Sequence, residues 1–148
     1  MFSKVIFINF GKFRSRDYDA IFKEYVQRLE RYTKVEIKEI KIDRDEPAFF
    51  DKAKDKILAA IDASYVLVFT EYGKSFSSME FSDFIKAGTG VLSVVVGSSW
   101  GVPEFVTKKA NMQLSFGKMT MPHEAVRAIV AEQLYRANTI IRGESYHK

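Results

Sequence analysis

The most apolar segment of the chain reads Val91-Leu92-Ser93-Val94-Val95-Val96, and a loop with two glycines, Gly97-Ser98-Ser99-Trp100-Gly101, follows it directly. A nearly continuous apolar run is typical of a strand that is covered on both faces of a parallel sheet. Four further runs have strand character, at Val5–Ile8, Lys34–Ile42, Tyr65–Phe69 and Gln113–Phe116. Helical patterns separate them, which predicts an α/β fold: one domain over residues 1–148, with a mostly parallel sheet and helices on both faces.

Proline, serine and glycine mark the helix ends. Ser77 or Ser78 caps a short helix that Gly88 ends, and three further helices begin at a proline, Pro47, Pro103 and Pro122. In Lys34–Ile42 the apolar phase slips, which predicts a bulge or a strand end near Glu39.

The last predicted helix has an apolar stripe, formed by Val126, Ile129, Val130, Leu134, Ala137 and Ile141. Arg127 and Arg136 lie beside this stripe. Three small residues, Ala128, Ala131 and Ala137, would also allow a second copy of the helix to approach closely in a dimer.

Composition narrows the class of protein. The formal net charge is +4, a weak indication of anionic partners, nucleic acid among them. The chain has no cysteine, which excludes disulfides and thiolate metal sites and fits a reducing compartment. No apolar run approaches the roughly 20 residues of a membrane span, and the amino terminus reads as a strand rather than as a signal peptide. We expect a cytoplasmic protein without membrane or metal partners.

Three successive predicted strands end in glycine-bearing loops, at Gly73, at Gly97 to Gly101 and at Gly117. Ligands of open α/β sheets bind outside the carboxyl ends of the strands, and glycine lets backbone groups approach them closely. Each loop alone could equally be a simple turn. No phosphate-binding loop, dinucleotide fingerprint, zinc motif or nucleophile elbow is present, so nucleotide triphosphatase, metalloenzyme and hydrolase functions have little support.

Apolar residues accompany these loops, namely Phe69, Trp100, Phe116, Met119 and Met121. A pocket of glycine loops and apolar side chains suits a flat aromatic ligand held by backbone hydrogen bonds, and S-adenosylmethionine is one candidate. For the two methionines, ordinary core packing is the alternative.

Four segments resemble the RlmH type of SPOUT-superfamily methyltransferases: Val94 to Gly97 with the loop after it, Leu114 to His123, Val130 to Ala137, and Arg142 to Lys148. Length, strand order and the Gly11-Lys12 turn also agree. The resemblance implies methylation of N3 of a pseudouridine in large-subunit ribosomal RNA, in free RNA or the assembled ribosome, with S-adenosylmethionine as cofactor. It also implies a homodimer and a trefoil knot in the carboxy-terminal half.

The resemblance further implies site residues. The cofactor would contact Phe69, Gly97, Phe116, Gly117, Lys118, Met119, Thr120 and Met121. The tail with Tyr146, His147 and Lys148 would reach the active site, that of the partner subunit. The chemistry of methyl transfer to an imide nitrogen adds a role for each charged group: His147 can be the general base, and Lys148 or Arg142 can supply a cation that favours the anionic nucleobase. We expect Arg127, Arg136 and Arg142 to contact RNA. Since the tail follows the last apolar position of the helix, its deletion should leave the fold intact.

One feature departs from the family, which usually has two adjacent glycines after the fourth strand. If Ser98 has to adopt a positive φ there, the cost is on the order of 1 kcal/mol. We expect valine at Gly97 to fill space that the cofactor needs and to leave the fold intact. Two alternatives stay open: a SAM- or RNA-binding protein of this fold without transferase activity, and a methyltransferase of another RNA or of a protein.

Overall fold

The computed structural model describes residues 1–42 and 46–148. Its elements are, in chain order, β1 (Lys4–Phe10), α1 (Arg16–Leu29), β2 (Lys34–Ile40), α2 (Pro47–Lys52), α3 (Lys54–Ile61), β3 (Tyr65–Ser75), α4 (Ser78–Ala87), β4 (Val91–Val96), α5 (Glu104–Thr107), β5 (Met112–Ser115) and α6 (His123–Ile141). Strands and helices alternate as the apolar pattern predicts.

The five strands form one parallel sheet in the order β2-β1-β4-β3-β5. The apolar strand β4 lies in the middle, with Val5 of β1 opposite Leu92 and Val68 of β3 opposite Val95. Every residue from Leu92 to Val96 is buried. All carboxyl ends therefore meet at one edge of the sheet, which we call the carboxyl edge. The prediction of a parallel α/β fold is confirmed.

Helices cover both faces of the sheet, as expected. On one face the core combines the sheet with apolar residues of α1, α4 and α6, among them Phe22, Phe81 and Leu134. On the other face it combines the sheet with α2, α3 and α5, among them Phe50 and Ile57. None of the helices in the described ranges is both long and apolar enough to cross a membrane.

The predicted helix boundaries hold with small changes. Ser77 caps α4 in a reciprocal arrangement: its hydroxyl accepts from the Glu80 amide, and the Glu80 carboxylate accepts from the Ser77 amide. The helix predicted from Pro47 is two helices, because the backbone leaves helical geometry at Ala53. Strand β2 ends at Ile40 in unbroken register with β1, so the phase slip near Glu39 marks a strand end.

Strand β3 is longer than predicted, since it continues past Phe69 to Ser75. It pairs with β5 twice, through Leu67 to Phe69 and again through Lys74 and Ser75, with a register shift between. Gly73 permits the second pairing: a Cβ there would meet the carbonyl carbon of Leu114 at 2.5 Å. The predicted loop at Gly73 is thus an irregularity within a strand, and its glycine is required for close approach of two backbones.

Helix α6 is covered on several sides, because both α1 and α4 pack against it. The alanines predicted to approach a second copy, Ala128, Ala131 and Ala137, are buried inside the chain's own core. That expectation is wrong: these small residues bring neighbouring helices of the same chain close to α6. Ile129, predicted to lie on the buried stripe, is instead 37% exposed.

Candidate functional site

A cavity of about 520 Å³ opens at the carboxyl edge of the sheet, beside the ends of β3 and β4. Three loops and one helix contribute to its walls: the β3 irregularity at Glu71 and Tyr72, part of the loop after β4 between Gly97 and Val102, part of the loop after β5 between Ser115 and Met121, and the start of α6 at His123 and Val126. The volume lies within the range of small-molecule pockets, and the position is where open α/β sheets bind their ligands.

Most of the residues predicted to contact a cofactor line this cavity, namely Phe69, Gly97, Phe116, Gly117, Met119 and Met121. Two do not: Lys118 and Thr120 are exposed and lie outside its wall. Phe69 and Phe116 stack on each other, with ring centroids 4.9 Å apart and planes 17° from parallel. The cavity wall therefore already contains a flat aromatic surface.

The loop after β4 is a tight turn closed by two backbone hydrogen bonds. The Ser98 amide donates to the Gly101 carbonyl at 3.0 Å, and the Gly101 amide donates to the Ser98 carbonyl at 2.9 Å. Gly101 has φ +79°, whereas Ala63 is the one non-glycine residue of the described chain with positive φ. Ser98 is therefore not strained, and its hydroxyl instead accepts from the Trp100 amide at 3.1 Å.

Gly97 is needed by this turn itself. A Cβ at Gly97 would meet the carbonyl carbon and oxygen of Gly101 at 2.6 Å each. The expectation that valine at position 97 fills only cofactor space is therefore wrong, because it would collide with backbone and displace the turn.

Ser115 joins two walls of the cavity. Its Oγ lies 2.8 Å from the carbonyl oxygen of Gly117 and 3.3 Å from that of Glu71, and it accepts from the Gly117 amide at 3.0 Å. The loop after β5 and the β3 irregularity are therefore held together by one buried hydroxyl.

The carboxy-terminal tail folds back along α6. Tyr146 donates to Oε1 of Glu132 at 3.0 Å, and its hydroxyl lies 3.2 Å from that of Tyr25. Its ring packs edge-on against Tyr135 with centroids 4.8 Å apart, and the Arg136 guanidinium lies 4.8 Å from its centre. Residue 146 is thus half-buried, and the tail is packed rather than free.

The hydrogen bonds of Tyr146 and His147 determine where each of these two side chains carries its proton. Burial, then the bonds with Tyr25 and Glu132, raises the pKa of Tyr146 above its usual range, so the phenol stays protonated at neutral pH. Nη1 of Arg136 lies 3.2 Å from Nδ1 of His147. Since a guanidinium only donates, Nδ1 must accept, which leaves the proton of a neutral imidazole on Nε2. In this arrangement the other ring nitrogen of His147, Nε2, is a hydrogen-bond donor and not an acceptor.

The predicted tail residues do not line the cavity of their own chain. Helix α6 has 19 residues, and the cavity meets its first turn at His123. Glu132, the partner of Tyr146, lies nine residues further on, about 14 Å along the axis. Arg142 and Lys148 are exposed at this distant end, and the Arg142 guanidinium lies 5.9 Å from the Tyr32 ring. Arg136 is held by Glu132, whose hydrogen bond raises its pKa.

Arg127 does not lie on the surface. Its side chain is 1% exposed, Nη2 donates to the Phe10 carbonyl at 2.6 Å, and Nη1 donates to the Gly11 carbonyl at 3.2 Å. The guanidinium also lies 5.3 Å from the Phe13 ring. The expectation that Arg127 contacts RNA is therefore at odds with the fold, which uses this arginine to bind the loop between β1 and α1.

Several site residues were missed from the sequence. Glu71, Thr107 and Gln113 line the cavity, and Glu132 organises the tail, although none of them belongs to a recognisable local pattern. His123, the last residue of the segment Leu114 to His123 that carries part of the resemblance, also lines the cavity. Among the described residues, no group of three or more His, Asp or Glu could hold a metal ion.

Comparison with known proteins assigns this architecture to a class. A family model described as "Predicted SPOUT methyltransferase" matches residues 3–147, and the chain therefore belongs to the SPOUT methyltransferase family. Two of its relatives are named ribosomal RNA large subunit methyltransferase H. The one from Limosilactobacillus fermentum is 39% identical over 95% of this chain and 97% of its own. The one from Clostridium acetobutylicum is 38% identical over 97% and 99%.

A solved structure shows the same fold. A probable methylase family protein from Haemophilus influenzae Rd KW20 superposes with a TM-score of 0.61, at 11% identity, over 98% of this chain and 70% of its own. At this identity the likeness concerns the fold alone.

Proposed function

We propose that this protein is a homodimeric, S-adenosylmethionine-dependent methyltransferase of large-subunit ribosomal RNA, acting on N3 of a pseudouridine. The observation that supports this most is the cavity at the carboxyl edge, whose walls include the loops after β4 and β5. It occurs in a chain that is 39% identical to a relative named for this RNA.

The cavity fits the proposed cofactor in size and chemistry. Phe69, Phe116 and Met121 offer apolar surface, while the glycine loops offer backbone donors and acceptors. At Gly97 the backbone itself borders the cavity, because the neighbouring backbone of Gly101 leaves no room for a side chain. When bound, S-adenosylmethionine supplies a methyl group on a positively charged sulfonium. The protein has to orient the acceptor nitrogen in line with that group and exclude water.

The acceptor is an imide nitrogen, which must lose its proton. Tyr146 stays protonated, but its one hydroxyl proton is donated to Glu132, so it has to release that carboxylate before it can donate to the nucleobase. For His147 to act as the general base, Nδ1 has to leave Arg136, after which either Nδ1 itself, or Nε2 following a change of tautomer, can accept the imide proton. Lys148 and Arg142, both exposed, supply positive charge that favours the deprotonated imide.

The distance between tail and cavity along α6 supports a shared site in a homodimer, in which each tail serves the cavity of the partner subunit. Exposed apolar side chains offer surface for such a dimer: Met119 is 82% exposed and Met79 is 50% exposed. The knot that the resemblance implies stays a prediction.

The function is tested by methyl transfer to large ribosomal subunits and to assembled ribosomes, with mass spectrometry locating the modified nucleotide. The shared site is tested by mixing two inactive variants, one with residues 146–148 deleted and one with Gly97→Ala. After equal mixing and exchange, half of the dimers are mixed and each contains one complete site, so activity should return to about a quarter of the wild-type value. Failure to recover activity would refute a site that is shared between subunits.

The alternative of a binding protein without transferase activity rested on the altered loop after β4. Because Ser98 has an ordinary φ and the turn closes through its own hydrogen bonds, this departure gives no reason to expect a defective cavity.

A further inference from the structure

The loop between β1 and α1 presents a row of cations. Lys12, Arg14 and Arg16 are exposed, while the residues between them, Phe13 and Ser15, are half-buried. Phe13 packs on Phe22 with ring centroids 5.1 Å apart, and Ser15 caps α1 by accepting from the Tyr18 amide. The alternation directs the three charged side chains away from the core. We call Lys12, Arg14 and Arg16 the cation row.

Backbone contacts hold this loop in place. Oε1 of Glu124 accepts from the Arg14 amide at 2.6 Å and from the Ser15 amide at 3.1 Å. Arg127 binds the carbonyls of Phe10 and Gly11 from the next turn of the same helix. An exposed loop is usually among the mobile parts of a protein, whereas this one is bound at both ends by buried or half-buried side chains of α6.

The first two turns of α6 connect the cation row to the cavity. His123 and Val126 line the cavity, and the residues directly after them, Glu124 and Arg127, hold the loop. Successive residues of a helix point about 100° apart, so the loop and the cavity lie on adjoining sides of one helix. Both are at the carboxyl edge, since the loop begins where β1 ends.

The charges of the row are available to a partner. Across the described ranges no ion pair joins Lys12, Arg14 or Arg16 to an acidic side chain. Of the nearby acids, Asp19 is paired with Lys23 at 2.8 Å, and the carboxylate of Glu124 is engaged by backbone amides. Asp17 is the remaining exposed acid in the first turn of α1.

We propose that the cation row is a preformed contact for the phosphate backbone of the RNA substrate, next to the nucleotide that enters the cavity. The inference rests on the proposed function, because it takes the occupant to be the RNA. Three separate cations that point outward suit an extended polyanion such as RNA, because each cation can pair with a different phosphate group. Such contacts position an RNA without reading its sequence, which leaves recognition of the base to the cavity.

The test measures binding of a fragment of large-subunit RNA that contains the target nucleotide, at several salt concentrations. The variant Lys12→Ala/Arg14→Ala/Arg16→Ala should bind about 10–100-fold more weakly near 0.1 M salt, and the log–log salt slope should fall by about 2. The matched control, Lys34→Ala/Lys86→Ala/Lys109→Ala, removes equal charge from exposed lysines near the amino ends of β2, β4 and β5. Equal losses in both variants, or none in the first, would overturn the proposal.

Glu124→Ala separates a built contact from net charge. It removes a negative charge beside the row, so electrostatics alone would strengthen RNA binding, whereas release of the Arg14 and Ser15 amides should weaken it. Tighter binding by a folded Glu124→Ala protein would overturn the claim that the loop is preformed.

Failure of the proposed function gives a different result. Wild-type protein that binds S-adenosylmethionine in calorimetry, but binds neither the RNA fragment nor large subunits nor assembled ribosomes, would refute both proposals. RNA binding and methyl transfer by wild-type protein, unaffected by the three loop substitutions, would refute the cation row alone.

Discussion

Replacement of Arg127 by methionine tests whether this arginine supports the fold or contacts RNA. Methionine is unbranched and of similar reach, so it can occupy much of the same space without the charge. The substitution removes both hydrogen bonds from the guanidinium, to the carbonyl of Phe10 at 2.6 Å and to that of Gly11 at 3.2 Å. Phe10 is 4% exposed, so water cannot readily replace the lost donor there.

The size of the effect follows from these two carbonyls. A buried acceptor left without a partner costs about 1–3 kcal/mol. Most of this penalty should apply to the buried Phe10 carbonyl, and about half as much to the carbonyl of half-exposed Gly11. Together they should lower the free energy of unfolding by about 2–4 kcal/mol. For a chain of this length each kcal/mol lowers the melting temperature by about 2–4 °C, so we expect a decrease of about 5–15 °C.

Thermal unfolding followed by circular dichroism measures this effect. Arg142→Met is the matched control, because Arg142 is exposed and its substitution should change stability by less than about 0.5 kcal/mol. If Arg127→Met melts like the wild type and only RNA binding is lost, the structural role derived for Arg127 is refuted and its assignment as an RNA contact is restored.

Three further predictions concern the turn, the tail and a helix cap. Gly97→Ala should abolish S-adenosylmethionine binding in calorimetry, because the new Cβ would lie 2.6 Å from Gly101 backbone atoms; an unchanged affinity would show that the turn can move freely. Tyr146→Phe loses a donor to Glu132 at 3.0 Å and should cost about 1 kcal/mol of stability, with a larger loss in methyl transfer; full activity would exclude Tyr146 from the site. Glu80→Gln should destabilise the protein at pH 7, because the Ser77 amide lowers the pKa of Glu80 and so stabilises the folded protein while the carboxylate is ionised. The difference from the wild type should shrink as the pH falls through that lowered pKa; a pH-independent difference in denaturant midpoints would contradict this.

Local chemistry explains why much of the fold could be predicted from the sequence. The apolar run of β4, the cap at Ser77 and the prolines at the helix starts each act within a few residues, so their patterns are readable without the tertiary structure. The cavity at the carboxyl edge was also predictable, because parallel strands bring the loops after β4 and β5 together whatever their detailed shape.

The remaining features depend on contacts between distant segments. Arg127 looks like a surface residue in the pattern of α6, but that helix is covered by α1, α4 and the β1–α1 loop, so a polar side chain there is satisfied internally. Gly73 looks like a loop glycine until β5 is placed against it. The tail looks free until Glu132 and Tyr25, 14 and 121 residues away, supply its partners.

The single tryptophan of the chain gives the protein a built-in optical reporter. Trp100 is 61% exposed and lies in the wall of the cavity, within the turn closed by Ser98 and Gly101. When the protein is excited near the red edge of its absorption, the fluorescence therefore comes from Trp100, and the seven tyrosines contribute little. An aromatic ligand that enters the cavity would shift or quench the emission, because it would lie against the indole. Titrations can thus follow cavity occupancy on the unlabelled protein, in the presence of RNA and over stopped-flow timescales.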